Sequence, residues 1–155
     1  MAAVGHERRI DDVRYVSGVP PIATEICALP MQRYNPLEAR NPEEWLALDE
    51  QERINLARDY HRHARIHLPN EKMHATLHAI VETQIALGDE TPARRTAQRL
   101  ICEGLDRHDA IHAMGMVLAE HIYVLKTTNS DQHDLNIPYF AALERLTAEH
   151  WRRSQ

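Results

Sequence analysis

Histidine is the residue with the most chemistry to offer in this chain: 11 of its 155 positions carry it. Four of them fall in two pairs of equal spacing, His74 with His78 and His108 with His112. On a helix, positions i and i+4 project from one face. One stripe runs His74, His78, Val81, Ile85, and the other His108, His112, Gly115, Ala119. Val81 and Ile85 favour burial, while Gly115 and Ala119 let a neighbouring helix come close. If the two faces meet, four imidazoles converge in the interior. Polar groups gathered away from water are costly without partners. Carboxylates, water or a metal ion must then satisfy them.

Imidazole is the commonest metal ligand in proteins. The expected metal ligands are His74, His78, His108 and His112, joined by Glu82 one turn after His78. Asp109 and Glu120 are further carboxylates on the second stripe's helix. His61 is an additional candidate, because it lies near the apolar face formed by Ala57, Tyr60, Ala64 and Leu68. His63 and His67 share the i, i+4 spacing, but Arg62 and Arg65 beside them mark a solvated face. His121, His133 and His150 carry no spacing signal. The expected cofactor is a divalent metal ion, with iron, zinc and manganese all open. Zinc would point to hydrolysis or structure, and iron or manganese to redox chemistry, as in a non-haem metalloenzyme. The alternative is a non-catalytic helical adaptor whose histidines form a hydrogen-bonded core with carboxylates.

Several better-known chemistries are not signalled. There is no P-loop, no dinucleotide fingerprint and so no nucleotide or organic cofactor signal. No Ser/His/Asp or Cys/His nucleophile pattern stands out. The clean pair of Glu-x-x-His motifs that ferritin-like bundles carry is missing. His108-Asp109-Ala110-Ile111-His112 approaches the H-E-x-x-H of zinc peptidases, but Asp109 is one methylene shorter than the glutamate base used there. The sequence leaves open whether the protein is an enzyme.

The elements that must carry these residues are helical. Asn41-Pro42 reads as an N-cap with proline in the first turn. Asp49 with Glu52 reads as a capping box where a helix restarts, running to about Leu68 before Pro69. Asn70 caps a second helix over about 71–87, ended by Gly88. Thr91-Pro92 opens a third over about 92–103, ended by Gly104. Asp106 opens a fourth over about 107–126, and Thr127 to Asn136 reads as a polar loop. Pro138 opens a last helix with Tyr139, Leu143, Leu146 and Trp151. The expectation is an all-α fold: an antiparallel bundle of four or five helices over 41–155. Residues 1–40 read as an irregular N-terminal arm, with Ile10, Val13, Tyr15 and Val16 as a short strand or packing residues. Turn chemistry marks Ser17 to Pro21, Leu29-Pro30 and Tyr34-Asn35-Pro36.

Three polar positions carry expectations of their own. Gln84 lies in the apolar arc of the second helix and needs a partner. Arg107 is expected to pair with Glu103 or Asp106, with an anionic ligand as the other option. Cys102 is expected in the core rather than in catalysis.

Eighteen basic and 23 acidic side chains leave a net charge of −5, which argues against nucleic acid as the main partner. No apolar run reaches the roughly 20 residues of a membrane span. The polar start, Met1 to Asp12, has no signal-peptide core. Cys27 and Cys102 lie far apart, which fits a reducing cytoplasm. The arm over 1–40 could dock a protein partner or a second subunit of a homo-oligomer.

Three blocks together resemble a known family. They are Trp45-Leu46-x-Leu48-Asp49-x-x-Glu52-Arg53 with Tyr60-His61; His74-Ala75-x-x-His78-x-Ile80-Val81-Glu82-x-Gln84; and Gly104-Leu105-Asp106-Arg107-His108-Asp109-Ala110-Ile111-His112-Ala113. Over about 41–126 the chain is similar to the bacterial proteins grouped as domain of unknown function 1841. The resemblance implies a small bacterial helical protein and brings no assigned activity with it. That family's motif has His-Glu where this chain has His108-Asp109. Arg107-His108-Asp109-Ala110 is also similar to the His-Glu segments with which helical-repeat hydroxylases hold two irons.

Overall fold

The computed structural model describes residues 33–128 and 135–155. The expected strand around Ile10 to Val16, the turns before residue 33, Cys27 and His133 lie outside those residues. Seven helices pack against one another, and no strand occurs among the described residues. They are α1 (Pro42–Ala47), α2 (Glu50–His63), α3 (Glu71–Ala86), α4 (Ala93–Cys102), α5 (Arg107–Thr127), α6 (Ile137–Arg145) and α7 (Ala148–Arg153). A short 3₁₀ turn, Gly88–Glu90, follows α3. None of these helices is long and apolar enough to cross a membrane.

The caps set the boundaries. Asn41 Oδ1 accepts from the amides of Glu43 and Glu44 at the start of α1. Asp49 and Glu52 form the full capping box of α2, at 2.7 and 2.9 Å. Asn70 caps α3 through the Met73 amide, and Asp106 caps α5 through the Asp109 amide. Gly104, at φ +93°, takes the left-handed position that closes α4, with Leu105 N–H donating back to the Leu100 carbonyl.

Two expectations on helix length change. The helix that begins at Glu50 stops at His63, not near Leu68. Arg65 adopts φ +56°, and the Ile66 N–H donates to the His61 carbonyl at 3.0 Å. This is the Schellman closure with arginine where glycine is usual, and it fixes His61 in the last full turn of α2. The last helix is broken in two. Leu146 is extended, and Thr147 accepts from the His150 amide to start α7. Arg99 holds the end of α6 by donating to the carbonyls of Leu143, Glu144 and Leu146.

The helix α3 is common to two apolar clusters. On one side its Ala75 and Ala79 meet Ile54 and Ala57 of α2, with Tyr34 and Trp45 completing the cluster. The alanines are small enough for close helix approach. On the other side Val81 joins the larger core, built on Ile111, Met114 and Leu118 of α5, Leu100 of α4 and Leu143 of α6. Each such large side chain contributes about 1.5–3 kcal/mol by leaving water. The consequence for function is geometric: the end of α2 and the starts of α3 and α5 are brought together.

Candidate metal centre

His61 sits near the C-terminus of α2, His74 and His78 in the first two turns of α3, and His108 and His112 in the first two turns of α5. All five rings gather in one place. The ring centroids of His108 and His112 are 4.2 Å apart, those of His61 and His74 4.5 Å, and those of His78 and His112 4.9 Å. The ligand atoms of His61, His74, His78 and His112 all lie within 4.8 Å of one another, a set that could hold a metal ion. His108 stands beside them, its Nε2 at 3.3 Å from that of His61.

The hydrogen bonds on the outer nitrogens say which way the lone pairs point. His61 Nδ1–H donates to the Ala57 carbonyl at 2.8 Å, which leaves Nε2 bare. That bare atom lies 3.1 Å from His74 Nε2, which in turn lies 3.2 Å from His112 Nε2. His78 Nδ1 lies 3.2 Å from the Tyr34 hydroxyl, and that hydroxyl donates its one proton to Glu82 Oε1 at 2.9 Å. His78 must therefore donate through Nδ1–H to the Tyr34 oxygen, leaving its own Nε2 bare as well. That Nε2 is buried and has no hydrogen-bond partner among the described residues. A buried acceptor without a donor is costly. Two nitrogens held about 2.0–2.1 Å from a tetrahedral zinc ion lie about 3.3 Å apart, close to the 3.1 and 3.2 Å of the His61–His74 and His74–His112 pairs.

The environment keeps these rings neutral, the form that binds metal. Burial, and then the charge that His112 and His61 would carry, lower His74 to about 4. Burial, then His61, lowers His108 to about 4, against the opposing pull of Asp106. Burial, then His108, does the same to His112, again to about 4. His78 is driven far lower, by burial and then by His112. Burial also lowers His61, although its bond to the Ala57 carbonyl works the other way.

Glu82 does not join the nitrogens. Glu82 is 2% exposed, and Arg107 grips its carboxylate with two bonds of 2.7 and 2.6 Å while Tyr34 donates a third. The expected ligand is thus the anchor of Tyr34, which orients His78. Such outer partners fix the ring and its tautomer. Tyr34 is held as a protonated donor, because burial and then Glu82 raise its hydroxyl well above the usual value.

Arg107 pairs with Glu82 and donates to the Pro36 carbonyl at 2.8 Å, rather than to Glu103 or Asp106. The local carboxylates lost to a buried one that needed a cation. Asp106 is taken up with capping, and Glu103 holds Arg99 and the Ala148 amide. Cys102 is exposed rather than in the core, since it falls on the outer side of the last turn of α4. Gln84 has its partner, the Tyr139 hydroxyl at 2.6 Å. His63 and His67 are exposed, as their arginine neighbours implied. Asp109 and Glu120 are outside the nitrogen set. Tyr34 was given no functional role by the sequence, because nothing in its spacing links it to residues more than 40 positions away.

Comparison with family models, with curated proteins and with solved structures returned no match.

Proposed function

We propose that this chain is a metalloprotein that binds one divalent transition-metal ion through His61, His74, His78 and His112, with His108 at the edge of the site. The observation that carries the reading is the convergence of four imidazole nitrogens, above all the buried, unpartnered Nε2 of His78. An all-imidazole set suits zinc, iron, copper or nickel. Manganese prefers oxygen donors and is the weakest of the three metals the sequence left open. Neutral ligands leave the full charge on the ion, which favours activation of a bound water or polarisation of a substrate oxygen. Four nitrogens alone would close a tetrahedral structural site, and a fifth position, for which the cavity described below leaves room, would serve chemistry. The family resemblance belongs to this reading, since its second and third blocks carry four of the five histidines.

The test is metal content by inductively coupled plasma mass spectrometry, on untagged protein purified without chelator or nickel resin. About one ion per chain is expected, with His78→Ala and His112→Ala both reduced to background. Wild-type protein that stays metal-free after anaerobic reconstitution with ferrous iron and zinc would overturn the reading. It would leave the interaction-protein alternative, in which the histidines only organise a polar core.

A further inference from the structure

His74, His78 and His112 also line a cavity of about 380 Å³ between α3 and α5. The rest of its wall is apolar, with Leu77 from α3, Ile111, Met116 and Ala119 from α5, and Trp151 from α7. Gly115 belongs to the same wall, and a Cβ placed there would meet only the Leu77 Cβ, at an ordinary 3.8 Å. Glycine at 115 is thus not demanded by backbone conformation or by a collision; it leaves space in the wall. Trp151 lies 6.3 Å from the His112 ring and closes one side. No Asp, Glu, Lys or Arg is among the described lining residues. The volume falls within the roughly 300–1,000 Å³ of small-molecule pockets. Among the described lining residues the polar side-chain groups are the three imidazoles and the Trp151 indole N–H, and His78 is buried with an unpartnered nitrogen.

We propose that this cavity binds an apolar small molecule, its hydrocarbon part between Leu77, Ala119 and Trp151 and a single donor head group directed at the histidine cluster. The head group rests on the metal reading above, because the metal is the partner it would take. The hydrocarbon part rests on the cavity alone. A charged group held inside the cavity would find no counter-charge in the described lining and would be disfavoured.

The experiment uses the full chain loaded with cobalt(II), whose visible spectrum reports coordination, and two probes, acetohydroxamate and octanohydroxamate. The longer probe is expected to bind about 100-fold more tightly, because each buried methylene favours association. Ala119→Leu, at a half-buried position on the cavity wall, should keep cobalt and acetohydroxamate binding and bring the two affinities within about threefold. Equal affinities in wild type with cobalt bound would overturn the cavity inference and leave the metal reading standing. Failure to take up cobalt would overturn the metal reading and the head-group assignment with it. The hydrocarbon part is then judged on metal-free protein with N-phenyl-1-naphthylamine. Fluorescence enhancement that Ala119→Leu abolishes supports it, and no enhancement in wild type overturns it.

Discussion

Glu82 and His78 lie one turn apart on α3, and both are 2% exposed. They are the centres of two buried polar regions that meet at Tyr34. Around Glu82 every strong demand is met: Arg107 supplies two bonds, Tyr34 a third, and the charges balance. Around His78 the demand is not met. Its Nε2 has no partner among the described residues, and the neighbouring nitrogens are further acceptors or one another's only donors. The first region is closed and holds the segment 33–36 against α3 and α5. The second is open and suited to take up something that accepts lone pairs. Buried polar groups alike in exposure can thus differ in purpose, and the difference is read from donor and acceptor counts.

The largest effect that would break this contrast lies on the closed side. Replacing Glu82 with leucine strands the Arg107 guanidinium in the interior. Removing one partner of a buried ion pair costs about 3–5 kcal/mol. Urea unfolding should show a loss of that order in Glu82→Leu, and much of it should return in the double variant Glu82→Leu/Arg107→Met, where no charge is left behind. A loss below about 1 kcal/mol in the single variant, the level of an exposed pair, would show that the pair is not a structural anchor.

The same contrast shows how far the sequence could be read. Caps and stop signals act within three or four residues, so Asn41, Asp49, Glu52, Asn70 and Asp106 were legible from neighbouring letters. The pairs 74/78 and 108/112 were legible for the same reason, since a helix converts spacing into a shared face. His61 had no companion at that spacing on its apolar side, so it ranked below the pairs, yet it is one of the most buried rings of the cluster. Its place depends on the Schellman stop at Arg65, a residue that carries no glycine-like signal. The closed region was the least legible. Glu82 to Arg107 spans 25 positions and Tyr34 to Glu82 spans 48. Local reasoning gave Arg107 its nearest carboxylates and gave Glu82 to the metal. Burial decides such pairings, and burial is settled by the packing of whole helices.

A middle-sized effect concerns pH on the open side. In the unfolded chain imidazoles take up protons near 6.5. In the folded, metal-free chain His74, His108 and His112 resist until about 4, and His78 and His61 are lowered too. Between these limits the unfolded state binds more protons, so stability is full above about 6.5 and falls as pH drops towards about 4. Melting of metal-free protein should drop by on the order of 5–10 °C from pH 7 to pH 5. A His74→Leu/His112→Leu variant should show a shallower slope. A flat profile in wild type would mean that the rings are solvated and already share protons freely.

The smallest expected effect separates the two regions most sharply. His78→Leu removes an imidazole as buried as Glu82 itself, and by burial alone it should be as damaging. The bookkeeping of donors says otherwise. In metal-free protein the variant loses one hydrogen bond, from Nδ1 to the Tyr34 oxygen, worth about 1 kcal/mol. It also removes an unpartnered buried nitrogen, whose desolvation carries a penalty of about 1–3 kcal/mol, and it puts an apolar side chain beside Leu77 and Ile111. Tyr34 keeps its bond to Glu82, so the closed region is untouched. The net change in metal-free stability should stay within about 1 kcal/mol of zero, in either direction, while metal uptake disappears. Urea unfolding of wild type and variant, both stripped of metal, measures this directly. A loss of 3 kcal/mol or more, the range of a broken buried ion pair, would place His78 with Glu82 as part of the scaffold. A loss near zero means that the fold tolerates this imidazole without depending on it, which is what a ligand kept for a metal ion requires.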